Sequence, residues 1–152
     1  MANWAAELGD ALEAFREVAT LGGEPLRAED LEAEYLAAPH LPPARLPTGK
    51  MAIYAFWGDG CWLKVGKVGP NSGPRYTSQH YNPKSAPSTL ARSIGYCARI
   101  PFRPDFDPDL PGNWIKSHCH RANVLLPVTS SSELLSCLEA FLHLRLRPRF
   151  ER

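Results

Sequence analysis

The order of strand-like and helix-like segments along these 152 residues fits an α/β (α+β) domain, a small, mainly antiparallel sheet flanked by helices. Three observations carry that expectation. Residues 51–68 hold two apolar, aromatic-rich runs around Gly58-Asp59-Gly60, the pattern of a β-hairpin. Residues 4–21 and 131–147 each carry an apolar stripe at helical spacing with polar residues between.

Taken in order, Trp4, Leu8, Leu12, Phe15 and Ala19 share one face of a helix that Gly22-Gly23 stops. Leu31 and Tyr35 lie four apart among acids, which predicts a second, shorter helix over residues 27–38. Pro39, Pro42, Pro43 and Pro47 end it and read as a linker. The hairpin follows, with strands expected over 51–57 and 61–68. Turn formers at 71–74 lead into a short helix over 75–81 that Asn82-Pro83 closes, and a further helix is expected over 88–93. Residues 94–100 read as a strand, and 101–111, rich in Pro and Asp, as an irregular loop. Residues 122–128 form another strand, placed at a sheet edge because it contains Pro127. Ser130-Ser131-Ser132-Glu133 supplies a capping box for the closing helix, whose stripe is Leu134, Leu135, Leu138, Phe141 and Leu142 and whose end is Pro148.

Composition narrows the function classes. A hydrophobic fraction of 44% with 10% aromatic residues excludes a disordered chain. No apolar run approaches the roughly 18 residues of a membrane span, and the acidic N-terminus lacks the features of a secretory signal, so a cytoplasmic address without a membrane partner is expected. Cys61, Cys97, Cys119 and Cys137 show no paired spacing and read as mostly reduced core thiols. His118-Cys119-His120 supplies too few ligands for zinc.

The net charge of +1 hides a division. Residues 1–48 set three Arg against nine acids, a net −6, whereas residues 49–152 set fourteen Lys and Arg against seven acids, a net +7. An acidic helical extension with a Pro-rich linker, 1–48, therefore precedes a basic domain, 49–152. The basic excess suits a polyanion such as DNA, and equally a merely soluble surface. The extension could form a homodimer or bind a protein partner through its helices, or cover the basic face.

Ala52-Ile53-Tyr54 on the first hairpin strand, Lys64-Val65-Gly66-Lys67 on the second, Arg75 on the helix beyond and Glu139 on the closing helix stand in a recognisable order. Over residues 51–150 the chain resembles the GIY-YIG nuclease family, in which two short strand motifs precede an Arg-bearing helix and a later helical Glu binds a divalent metal. The resemblance implies the same small sheet flanked by helices, DNA as partner, endonucleolytic phosphodiester hydrolysis and Mg²⁺ or Mn²⁺ as cofactor. Ala52 replaces the first Gly of the motifs, Lys64 the Tyr of the second, and Glu151 stands where an Asn often follows the last helix. His80 lies one residue beyond the Arg-x-x-x-His spacing that some members use.

Phosphodiester cleavage needs a deprotonated water, charge on the phosphate oxygens and help for the leaving oxygen. Tyr54 could take the water's proton if neighbouring cations such as Lys64 and Lys67 favour phenolate, or be an ordinary strand aromatic. Arg75 could clamp the phosphate through two parallel hydrogen bonds, or be a solvated helix Arg. Lys64 and Lys67, three apart, point to opposite faces of a strand. Glu139 stands beside the apolar stripe, where a lone carboxylate suits Mg²⁺ with its waters, or where a Glu pairs with His143 or Arg145. Lys116 and Arg121 could contact nucleic acid or form a surface rim, and Tyr76 and Tyr81 could stack on bases or pack the short helix. A non-cleaving nucleic-acid-binding or protein-interaction module on this fold is the alternative function.

Overall fold

The computed structural model describes residues 3–86, 89–96, 106–107 and 109–151. It is an α+β fold on a four-stranded, wholly antiparallel sheet. The chain runs α1 (Trp4–Leu21), β1 (Glu32–Leu36), β2 (Lys50–Gly58), β3 (Cys61–Val68), α2 (Gly73–Thr77), α3 (Leu90–Tyr96), α4 (Pro111–His118), β4 (His120–Pro127) and α5 (Ser132–Leu146). Short 3₁₀ turns lie at Ala28–Asp30, Gln79–Tyr81 and Arg149–Glu151. Strand order across the sheet is β1-β4-β2-β3. Among the described residues no helix is long and apolar enough to cross a membrane.

The hairpin forms where expected, because Asp59 and Gly60 both adopt positive φ, 53° and 75°, as a two-residue turn matched to strand twist requires. Residues of β2 alternate between two apolar layers. Met51, Ile53 and Ala55 face α1 and α5, meeting Leu8, Phe15, Leu138 and Leu142. Ala52, Tyr54 and Phe56 face the other way, toward Tyr76, Tyr81, Leu90, Ile94 and Ile115 of the connecting helices. Asn3 caps α1, its side chain accepting from the Ala6 amide.

Four expectations are corrected. The second N-terminal helix is absent: residues 32–36 are instead β1, paired with β4 in the register Glu34↔Asn123. Two apolar residues four apart are too little to stabilise a helix, and the open side of β4 supplies ladder hydrogen bonds that outweigh the helical preference of Glu and Ala. Consequently β4 is interior, not an edge. Pro127 is tolerated because it pairs only with Lys50 of β2, beyond the end of β1, whose register stops at Leu125. Ile94 begins no strand but lies inside α3, and the rest of that expected strand, 97–100, falls outside the described residues, as does most of the 101–111 loop. Residues 111–118 form α4, a helix the sequence reading did not propose, started by Pro111 at its first position.

The residues of the acidic segment are built into this core. Leu8, Ala11 and Phe15 are fully buried, and the apolar face of α1 packs against α5 and the sheet. The closing helix is capped by Ser131, one residue later than expected, its Oγ accepting from the Leu134 amide. Glu24 takes the place of the local box acid, accepting from both the amide and the hydroxyl of Ser131. Of the cysteines described, Cys119 is buried, Cys61 half-buried and Cys137 exposed, so not all are core thiols.

Candidate active site

Among the described residues β3 pairs only with β2, so its far side is an edge of the sheet, and polar groups from several elements gather there. Tyr54 of β2 lies opposite Gly66 of β3. The pairing is intimate: a methyl group at Gly66 would stand 2.1 Å from the Tyr54 hydroxyl oxygen and 2.4 Å from Cζ. Only hydrogen in place of a side chain lets the phenol lie across β3 toward the edge.

Arg75 of α2 reaches the same hydroxyl, Nη2 donating to Tyr54 Oη at 3.5 Å, while its buried Nε has no partner. The His80 ring lies against Tyr54, centroids 4.2 Å apart. His80 Nδ1 accepts from the Leu90 amide at 3.3 Å, which leaves the proton on Nε2, buried and without a partner. Two unspent buried donors thus belong to residues in contact with the Tyr54 ring or hydroxyl, an arrangement that suits an acceptor-rich ligand such as a phosphate.

The lysines diverge as strand geometry requires. Lys64, opposite Phe56, is buried and donates to Glu151 Oε1 at 2.7 Å. Lys64 and Glu151 are therefore each other's partner. Lys67, opposite Ile53, turns to α5, donating to Ser136 Oγ at 2.8 Å with its Nζ 3.6 Å from Glu139 Oε2. One turn on, His143 Nε2 donates to the Val65 carbonyl of β3 at 2.8 Å and lies 4.0 Å from Glu139 Oε1. A cleft beside these groups is lined by Lys67, Arg75, Ser72, Ser132 and Ser136 over Met51 and Leu135.

No family model, curated protein or solved structure matches this chain. What the site can do is read from its own groups.

Burial raises the Tyr54 phenol above its ordinary value, and Arg75 pulls the other way, while the Glu151 and Glu139 carboxylates raise it further. The expected help from the lysines is spent on those same two glutamates. Burial, reinforced by Lys64, Arg121 and Arg75, holds the His80 imidazole down to about 3. A histidine so depressed is neutral at physiological pH and offers a hydrogen bond from Nε2 rather than a proton. Among the described residues no three His, Cys, Asp or Glu side chains converge as a metal cage. Glu139, part-exposed and only loosely paired, is a single carboxylate whose chemistry fits a hard ion that keeps most of its waters, not zinc.

Of the remaining residues singled out from sequence, Lys116 of α4 stands apart, lining a different cleft with Tyr81, Lys84 and Asn113. Tyr76, Tyr81 and Arg121 are buried and pack one another, with Tyr81 alone of the three reaching the wall of that cleft. Among the described residues Arg121 is the largest fully buried side chain, its guanidinium over the rings of Phe56 and Tyr76 at 5.2 Å each. Its role inside the fold escaped the sequence reading. The signal was available: Arg121 and Asn123 are polar residues two apart in an otherwise apolar strand, hence on one face.

Proposed function

We propose that this chain is a metal-dependent endonuclease that hydrolyses DNA phosphodiester bonds, as its resemblance to GIY-YIG nucleases implies. The observation that carries the reading is the Tyr54 hydroxyl laid across Gly66 within reach of Arg75, on the strand edge where Lys67 and Glu139 also meet. These are a proton acceptor, two cations for the phosphate and a carboxylate for a metal, which together cover the three needs of the reaction.

Arg75 would hold the scissile phosphate through its terminal Nη donors, with the buried Nε fixing the guanidinium in place. Lys67 would add charge on the same phosphate once released from Glu139. Glu139 would hold Mg²⁺ or Mn²⁺, which supplies positive charge to the departing 3′ oxygen. Tyr54 would accept the attacking water's proton, and because its phenol is held protonated at neutral pH, that step draws on a small phenolate fraction that Arg75 sustains. The neutral His80 ring would fix the phenol and donate to an oxygen.

The test is nicking of supercoiled plasmid by the wild type and by Glu139→Ala, with Mg²⁺, with Mn²⁺ and with EDTA. Metal-dependent nicking that the substitution abolishes is the expected result. A second reading, a binding module that does not cleave, is favoured by the raised Tyr54 phenol and by the close Lys64–Glu151 pair. Salt-sensitive DNA binding without cleavage by folded wild type would select it, and a salt-insensitive protein complex without DNA affinity would select a protein-interaction role.

A further inference from the structure

α2, which carries Arg75, is only five residues long and has no side-chain cap at Ser72. A single turn of helix cannot hold its own position. Its anchor is the neighbouring residue, Tyr76, gripped at both ends: the Tyr76 carbonyl accepts from Arg121 Nη2, and the Tyr76 hydroxyl donates to Glu34 Oε2 at 3.1 Å. Both grips lead to the same carboxylate. Arg121 Nε donates to Asn123 Oδ1 at 2.8 Å, and Asn123 Nδ2 donates to Glu34 Oε2 at 3.3 Å. Arg121 Nη1 donates to the Tyr81 hydroxyl at 3.1 Å, and Tyr81 in turn meets His40 Nε2 at 2.7 Å, with His40 Nδ1 donating to the Cys119 carbonyl.

Among the described residues no carboxylate pairs directly with the fully buried Arg121. Through the neutral amide of Asn123 its Nε is linked by hydrogen bonds to a Glu on β1, the strand that belongs to the acidic segment. Removing that side chain takes the acceptor away from the Tyr76 hydroxyl and the Asn123 amide at once, so both grips on α2 slacken together.

We infer that Glu34, acting through Asn123, Arg121 and Tyr76, is a positioning residue for Arg75, and that the acidic segment helps build the site rather than shielding it. The inference rests on the nuclease reading for its effect on turnover, but the placement of Arg75 can be read without activity. The Arg75 to Tyr54 contact is long, at 3.5 Å, so a small displacement of α2 breaks it.

The experiment compares wild type with Tyr76→Phe, Glu34→Ala, Glu34→Gln and Phe15→Leu, a control in the α1–α5 layer. Two quantities are read: steady-state plasmid nicking, and the Arg75 Nε–H cross-peak in ¹⁵N NMR, which the buried Nε protects from exchange. Tyr76→Phe and Glu34→Ala are expected to lower kcat by about tenfold with KM within about twofold, and to shift or bleach the cross-peak. Glu34→Gln, which keeps an acceptor oxygen, should recover most of kcat, and Phe15→Leu should lower the melting temperature and leave the peak in place. An unmoved peak in Tyr76→Phe and Glu34→Ala overturns the inference, as does an equal disturbance in Phe15→Leu. Should Glu34→Ala fail to fold, Tyr76→Phe decides alone. A wild type that never nicks DNA removes the nuclease reading, while the cross-peak still decides the positioning.

Discussion

Gly66→Ala puts the close seating of Tyr54 to a direct trial. The added methyl would stand 2.1 Å from the hydroxyl oxygen, 2.4 Å from Cζ and 3.0 Å from Cε1. Since non-bonded heavy atoms rest at about 3.5–4 Å, the phenol tip or strand β3 must retreat by more than about 1 Å. Overpacking of that kind costs about 1–3 kcal/mol, which in a chain of this length lowers Tm by roughly 2–4 °C for each kcal/mol. Activity should suffer more than stability. Tyr54 would leave Arg75, already at 3.5 Å, and a 1 Å misplacement in an active site costs about 10²-fold in rate. The assays are thermal unfolding and plasmid nicking, in single mutants and in Tyr54→Ala/Gly66→Ala. Because Tyr54→Ala removes the opposing atoms, adding Gly66→Ala to it should cost almost nothing, giving a coupling of about 1–3 kcal/mol. Full stability and full activity in Gly66→Ala, or equal costs with and without the Tyr54 ring, would refute the packing argument.

Two further outcomes follow from the electrostatics. Burial holds the Tyr54 phenol protonated above its ordinary value, so if it accepts the water's proton the nicking rate should climb about tenfold per pH unit through the neutral and mildly alkaline range; a pH–rate series with Tyr54→Phe as reference checks it, and a profile identical in the two proteins assigns the proton elsewhere. Glu24 is held below its ordinary value chiefly by the Ser131 hydroxyl and then by the Ser131 amide. A depressed carboxyl stabilises the fold above the unfolded-state value and loses that contribution as pH falls through the folded-state value, so Glu24→Gln should lower stability at pH 7 and flatten its decline below about pH 4.5, measured by urea unfolding across pH.

The parts of this fold that were legible in sequence are those specified locally. Asp59-Gly60 marks a turn whatever surrounds it, and the stripes of α1 and α5 repeat often enough to declare a face. β1 was illegible because Glu32, Ala33 and Glu34 have no strand preference of their own. What makes them a strand is Asn123 and its neighbours, far along the chain. Position within the sheet was hidden for the same reason, since a Pro at a strand end argues for an edge only when the ends of the neighbouring strands are known. At the candidate site, the order of Tyr54, Arg75 and Glu139 was visible, and their gathering at the β3 edge needed the fold. Tyr76, Tyr81 and Arg121 look from sequence like surface groups for nucleic acid, because aromatic and basic residues serve equally well to bind bases and to bury a guanidinium between rings. Only their exposure separates the two, and exposure is a property of the folded chain.

The pairing of β1 with β4 also sets the order in which the protein can come together. Glu34 and Asn123 are 89 residues apart, and α1, which precedes them both, packs against α5, which follows them both. During synthesis the apolar face of α1 is finished long before the helix that covers it exists, and β1 waits for a partner through most of translation. The strands of the hairpin β2–β3 need only each other, whereas β1 is completed by β4, from near the far end of the sequence. A sheet completed by residues 89 positions apart has a high contact order, and a high contact order slows folding relative to a sheet built from hairpins alone.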